Sequence, residues 1–394
     1  MDAPGAGDIE VGLDLEAVEA AFATSTDFTV GIEEEFALVD PDTLDLVPRF
    51  EELREAAADD PALSQAVAGE LISSEIEIRS ARGEDFAEAA DSQADHRRRL
   101  FALAAAHGVR LGAMGTHPWA SYLDQPIIAT PHYRRVEEGL RYVAWRNNTF
   151  GLHVHVGVRG ADRAIAVCDA LRERLPLLLA VSASSPFLDG RDTGLHSVRT
   201  QTFTRSFPRC GVPDAFGDFS TYARFVGLLA RTDSIREATQ LWWSVRPHHR
   251  FGTVEVRICD AQPSGEESFA LASLIVATVA QIAVDHDDGR LRAPLQDREI
   301  EENLWRAIRY GMDGRLIDFA AGAEIEARAA LDQLLEWTAP VRSQLGLDVG
   351  LPDANPAQRA RRALGDGSDI AAVWRQSLDQ TAATYGARAG VAAS

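Results

Sequence analysis

The sequence predicts an α+β fold: a mainly antiparallel sheet, open on one face and covered by helices on the other. Two observations predict it. First, four segments alternate polar and aliphatic residues with the period of a strand: Gly31-Ile-Glu-Glu-Glu-Phe36, Glu70-Leu-Ile-Ser-Ser-Glu-Ile-Glu-Ile-Arg79, Gly151-Leu-His-Val-His-Val156 and Gly252-Thr-Val-Glu-Val-Arg-Ile258. Second, strands of a parallel α/β sheet are buried on both faces and read as continuous apolar runs, whereas these four are amphipathic.

The elements follow in chain order. Residues 1–27 read as a loose acidic start with a short helix over 15–23, and the length suits one large domain or two to three smaller ones. After a strand at 30–39, Pro41-Asp-Thr-Leu-Asp45 marks a turn. A long helix follows Glu84 and closes near Gly108, a residue suited to a helix stop. Residues 109–115 resemble a buried strand and 133–146 a helix leading into the His-x-His strand. The apolar helix over 161–181 contains Pro176, which predicts a break there. Residues 184–217 are the least regular stretch, and their aromatic and Arg content suits an ordered substrate loop. From Glu266 the pattern is mostly helical, through 303–310 and 324–345 to an Ala/Arg-rich tail at 369–387.

Composition narrows the chemistry. The 394 residues carry a formal charge of −21, which argues against a nucleic-acid partner. Every basic residue other than His is Arg, so a Walker A lysine, a Schiff-base lysine and a lysine base are all excluded. Three unpatterned cysteines suit a reducing compartment. No secretory leader is read at the acidic start, and the apolar runs near 177–183 and 270–284 read as too short or too polar to span a bilayer. The expected location is cytoplasmic, without a membrane partner.

The polar strand faces hold the chemistry. Period two places Glu33 with Glu35, Glu75 with Glu77 and Arg79, His153 with His155, and Glu255 with Arg257. Carboxylates gathered on one face repel each other unless a cation neutralises them, and oxygen ligands with an occasional imidazole suit Mg²⁺ or Mn²⁺. Arg257, two residues from Glu255, would reach a phosphate that such a metal bridges. Taken singly, a Glu triplet reads as a solvated charge run, a pair of His as structural, and Glu-x-Arg as a surface salt bridge. Their agreement in facing is what suggests a shared metal site. Glu34 falls on the aliphatic face, and Glu75 fits either a ligand or a rim position. His-Glu-x-x-His, Gly-x-Ser-x-Gly and dinucleotide-binding glycine patterns are absent.

Thr29-Val-Gly-Ile-Glu-Glu-Glu-Phe36, Gly151-Leu-His-Val-His-Val-Gly157, Asp192-Thr-Gly194 with Arg199, Trp242-Trp-Ser-Val-Arg-Pro247 and Gly252-Thr-Val-Glu-Val-Arg-Ile-Cys-Asp-Ala261 together resemble the glutamate–cysteine ligase type 2, or carboxylate-amine ligase, family. The resemblance runs from about residue 28 to 315. It implies a curved glutamine-synthetase-like sheet with a polar concave face, in a single catalytic domain over 28–394 after an N-terminal extension. It also implies an ATP-dependent ligase that phosphorylates the glutamate side chain and transfers the acyl group to cysteine or another amine, releasing ADP and phosphate. By motif position, Glu33, Glu35, Glu77, His153 and Glu255 would bind Mg²⁺, with Glu255 and Arg257 acting in catalysis and Arg257 contacting the transferred phosphoryl group. Arg199 and Arg246 would meet substrate carboxylates or phosphates, and His155 would line the glutamate pocket. A homodimer is expected from the resemblance alone. The chain departs from the family pattern at Ser184, His196 and Arg79, and the first two lie where the acceptor pocket is expected.

Two other readings use the same residues. A metal-dependent amide or phosphate-ester hydrolase needs a similar carboxylate and imidazole set but no nucleotide. A non-catalytic binder has no need of several metals, which the five ligand positions contradict.

Overall fold

The computed structural model describes residues 14–386. Its centre is a seven-stranded sheet built from β1 (Val30–Val39), β2 (Val67–Ala68), β3 (Glu75–Arg79), β4 (Arg110–Gly112), β5 (Gly151–Gly157), β6 (Val245–His248) and β7 (Thr253–Asp260). The spatial order is β6-β7-β5-β1-β3-β2, with β4 pairing the distal half of β1, and every pairing is antiparallel. The α+β expectation therefore holds.

Alternation in the strands explains the layering. Ile32, Leu152, Val154, Val156, Val254 and Val256 form the back of the sheet and join one core with the helices Ala161–Leu171, Leu175–Ser182 and Gly265–Asp287. Phe36, Leu38, Ile76 and Ile78 form a second core with helices Phe86–Ala106 and Ile370–Tyr385. Each such side chain, fully removed from water, contributes about 1.5–3 kcal/mol. With its back so covered, the sheet leaves only its polar face open.

Several boundaries differ from expectation. Pro176 does not kink a helix interior; it sits in the first turn of a new helix, Leu175–Ser182, where its missing N–H costs nothing. The predicted helix over 133–146 is two, Pro131–Leu140 and Tyr142–Trp145, separated at Arg141, whose φ of 51° breaks the helical path. The irregular stretch 184–217 contains a helix, Val198–Ser206, capped by the Ser197 side chain. Residues Ala323–Glu326 form a strand ahead of helix Ala327–Leu345. Gly108, with φ of 67°, follows helix Phe86–Ala106 as expected.

The length expectation for the apolar run near 270–284 is corrected. Helix Gly265–Asp287 has 23 residues and a mean hydropathy of 1.8 in its most apolar window, enough by length and composition to cross a membrane. It is a core helix instead, with 83% of that window buried. Residues 1–13 of the expected extension, and 387–394 beyond the tail helix, lie outside the described residues; the short helix is Leu15–Thr24.

Candidate active site

Strand register decides which side chains meet. Across β1 and β3, Glu33 faces Arg79 and Glu35 faces Glu77; across β1 and β5, Glu33 faces His153; across β5 and β7, His155 faces Glu255; across β7 and β6, Glu255 faces Arg246. Directly paired residues project to the same side, so all of them rise from the open face. They floor a cavity of about 450 Å³. Arg199, Thr200, Phe203 and Phe207 of helix Val198–Ser206 and its C-terminal flank form part of its wall, and Tyr133, Trp242, His248 and Phe251 also line it.

Three overlapping sets of ligand atoms lie within 4.8 Å of one another: Glu33, Glu77 and His153; Glu33, His155 and Glu255; and Glu35, Glu70 and Glu77. All five sequence-predicted metal ligands belong to at least one set. Two further members appear. His155, expected as a pocket residue, places its Nε2 3.4 Å from Glu33 without hydrogen-bond geometry, and that nitrogen has no hydrogen-bond partner. Its Nδ1 lies 3.0 Å from the Thr253 hydroxyl, which orients the ring and turns Nε2 to the cavity. Glu70 lies outside the strands, after β2, where strand periodicity has no reach. Glu75 is buried, with one carboxylate oxygen lacking any partner, and falls in none of the sets.

Electrostatics divides these acids. Burial and the neighbouring Glu33 push Glu77 well above the usual carboxylate range, and burial with Glu35 pushes Glu70 up to about 7. Burial also lifts Glu75, reinforced by Glu35, Glu70 and Glu77. Glu255 goes the other way: burial opposes its charge, but Arg246, Arg257 and His155 outweigh burial and hold it well below the ordinary value. Burial and the Arg257 charge depress His153, which keeps it neutral and able to coordinate. Crowded carboxylates around the partnerless His155 imidazole nitrogen suit a hard divalent cation, and the residues fit Mg²⁺ or Mn²⁺.

The arginines are not equivalent. Arg246 is engaged almost completely. Its Nε and Nη2 donate to Glu255 at 2.7 and 3.2 Å, and its Nη1 donates to the carbonyls of Leu241 and Thr239 at 2.7 and 3.2 Å. It therefore steadies Glu255 and has little left to offer a substrate. Arg257 also donates to Glu255, lies 3.4 Å from His153 Nδ1 and leaves its buried Nε without a partner. Arg79 pairs with Glu77 at the exposed edge and lies 3.5 Å from Glu33. Arg199 lies across Gly151, where a Cβ would collide with its guanidinium.

A bulge in β7 shapes this corner. The β5–β7 register shifts between Val256 and Cys259, so that Cys259 pairs with Leu152 and Asp260 with Gly151. Without it, Asp260 would share the apolar back with Val254 and Val256; with it, Asp260 turns to the open face. The carbonyls of Arg257 and Ile258 at the bulge accept from Arg199 at 3.4 and 3.2 Å.

The family model of glutamate-cysteine ligase family 2 (GCS2) matches residues 29–353. A Rubrobacter xylanophilus protein provisionally named glutamate–cysteine ligase 2-2 is 39% identical over 82% of this chain and 83% of its own length. A Solibacter usitatus protein provisionally named glutamate–cysteine ligase 2 is 36% identical over 90% of this chain and 93% of its own. Among solved structures, glutamate–cysteine ligase from Francisella tularensis in complex with AMP superposes with a TM-score of 0.66 at 12% identity, covering 92% of this chain and 90% of that one. A bifunctional glutathione synthetase from Pasteurella multocida gives 0.68 at 12% identity over 94% of this chain, which spans about half (54%) of that longer enzyme. At such identities the two structures establish the fold.

Proposed function

Because this chain belongs to glutamate-cysteine ligase family 2 and is a carboxylate-amine ligase of that kind, we propose that it joins the side-chain carboxylate of glutamate to an amine at the expense of ATP, through an acyl phosphate. The observation that carries the reading is the floor of Glu33, Glu35, Glu70, Glu77, His153, His155 and Glu255 beside Arg79, Arg199, Arg246 and Arg257 in a chain without lysine. Residues 28–394 act as one catalytic domain in this reading.

The chemistry sets the demands. A carboxylate oxygen is a poor leaving group, and two anions, carboxylate and triphosphate, must approach each other. Mg²⁺ or Mn²⁺ held by the carboxylate floor would supply charge neutralisation between them. Glu255 is kept ionised by Arg246, so its position and charge are fixed before substrates arrive. Arg257, with a buried N–H unspent, is aimed to stabilise charge on the transferring phosphoryl group. The carboxylate oxygen attacks the γ-phosphorus, the bond to ADP breaks, and acyl phosphate forms. The amine then attacks the acyl carbon, phosphate leaves with the carboxylate oxygen, and the amine proton passes to a base or to the departing phosphate.

Cysteine as acceptor follows the names of the relatives, and other amines remain within the proposal. The hydrolase alternative draws no support from those relatives, which are ligases by name. The test is ADP release from ATP with Mg²⁺ and glutamate across a panel of amines that includes cysteine. Amine-dependent release is expected and identifies the acceptor; silence across the panel by folded, metal-loaded protein would overturn the reading.

A further inference from the structure

Asp260 is fully buried and sits at the end of β7, turned to the open face by the bulge. Its Oδ2 accepts from the Ser184 N–H at 3.0 Å and the Ser185 hydroxyl at 2.7 Å, and its Oδ1 accepts from the Ser197 hydroxyl at 2.9 Å. Those last two hydroxyls bracket Arg199. Ser185 Oγ accepts from the Arg199 backbone N–H at 3.2 Å, and Ser197 caps helix Val198–Ser206. The Arg199 guanidinium itself lies 3.7 Å from Asp260 Oδ1. Packing leaves the carboxylate no slack, since a Cβ on Gly115 would come within 2.7 Å of it.

Arg199 is held without being used up. Its Nη1 and Nη2 donate to the two bulge carbonyls, and its Nε, though the residue is 5% exposed, has no partner. A guanidinium carries five N–H donors in a planar fork, so donors remain on the cavity side. Burying a donor without a partner is costly and is retained where a ligand completes it. The cavity wall on the helix side of Arg199 is uncharged, formed by Thr200, Phe203, Thr204, Phe207 and Trp242, while its other side meets Gly151 and the floor beyond it. A planar guanidinium held at both terminal nitrogens, with Nε unspent and hydroxyls and aromatic surface along the wall, matches the two oxygens of a carboxylate.

We propose that Asp260 is a positioning residue which, through Ser185 and Ser197, fixes Arg199 as the hook for a carboxylate of an amino-acid substrate. The inference rests on the ligase reading for its substrate class. The carboxylate belongs either to glutamate or to the acceptor, and the test separates the two.

The test compares wild type with Asp260→Asn, which preserves shape and removes charge. It measures kcat and KM for glutamate, cysteine, cysteamine and MgATP, with calorimetric Kd values for glutamate and cysteine in the absence of turnover. A rise of about tenfold or more is expected in KM and Kd for one amino acid, with kcat and the MgATP KM little changed. A rise for glutamate assigns its carboxylate; a rise for cysteine without one for cysteamine assigns the acceptor's. Arg199→Ala should show the same selectivity, and the double variant should be no worse than Arg199→Ala alone. Unchanged amino-acid KM and Kd, a lower kcat alone, or additive losses would overturn the proposal. Should Asp260→Asn fail to fold, Ser185→Ala weakens the same link and predicts a smaller shift in the same direction. Absence of ADP release by wild type would defeat the ligase reading, while the Kd comparison would still decide the role of Asp260.

Discussion

Arg97 grips Glu34 in a bidentate ion pair on the reverse face of β1, directly behind Glu33 and Glu35. Both side chains are buried, and Gln93, Ser268 and Tyr385 complete the cluster with hydrogen bonds to the Glu34 carboxylate. The Arg97 guanidinium also lies 3.7 Å from the centre of the Phe269 ring. Three helices, Phe86–Ala106, Gly265–Asp287 and Ile370–Tyr385, are thereby fastened to the strand that carries two floor carboxylates.

Removing one partner of this pair leaves the other buried and uncompensated. Glu34→Gln or Arg97→Met should each cost about 3–5 kcal/mol in chemical denaturation. Replacing both with apolar residues of similar size should cost less than either single change. Single losses below about 1 kcal/mol would show that the cluster does not anchor β1.

Glu33 and Glu255 belong to ligand sets, and Glu33 is shared by two of them. Glu33→Gln and Glu255→Gln should lower ADP formation by more than about a hundredfold while the far-ultraviolet circular dichroism stays native. Normal turnover in both variants would remove the metal assignment.

Arg257 keeps a buried N–H free beside Glu255 and His153. Arg257→Ala should reduce kcat by about a hundredfold or more, with a much smaller change in glutamate Kd. Equal losses in both would recast Arg257 as a binding residue.

Glu70 sits at about 7, and Glu75 and Glu77 lie above the usual range, all mainly through burial. The sign follows from linkage. A carboxyl raised on folding adds stability that is complete below its unfolded value near 4.5 and is lost as pH rises through its folded value, here about 7. Burial depresses the core residues His117 and His196 to about 4 each and the half-buried His248 and His249 to about 3 and 4, and these histidines act oppositely below 6.5, so the informative quantity is the difference made by metal. Protons compete with Mg²⁺ for Glu70 and Glu77, which belong to the ligand sets. The Mg²⁺-induced rise in Tm should therefore grow from pH 6 to pH 8. A rise that shrinks or stays flat over that interval would contradict the shared site.

Much of the site was legible because a strand repeats every two residues. That period sorted Glu33, Glu35, Glu77, His153, His155 and Glu255 onto one face and Glu34 onto the other, as the register shows, and Arg257, inside the bulge, also lines the cavity. Other parts were hidden for physical reasons. Glu70 lies outside any strand, so no period marks it. Asp260 would be assigned to the back by strict alternation, and only a bulge between Val256 and Cys259 turns it forward. That Arg246 is spent on Glu255 depends on two backbone carbonyls from the segment before β6. Helix Val198–Ser206 was obscured by its Thr and Ser content, which favours caps and turns over helix interiors.

The central claim is that the acid is activated by phosphorylation before the amine arrives. It is tested most directly by supplying glutamate labelled with oxygen-18 in its side-chain carboxylate, together with ATP, Mg²⁺ and the accepted amine, and weighing the phosphate released. The account predicts one labelled oxygen in each phosphate formed with amide product. Unlabelled phosphate accompanying amide formation would contradict it.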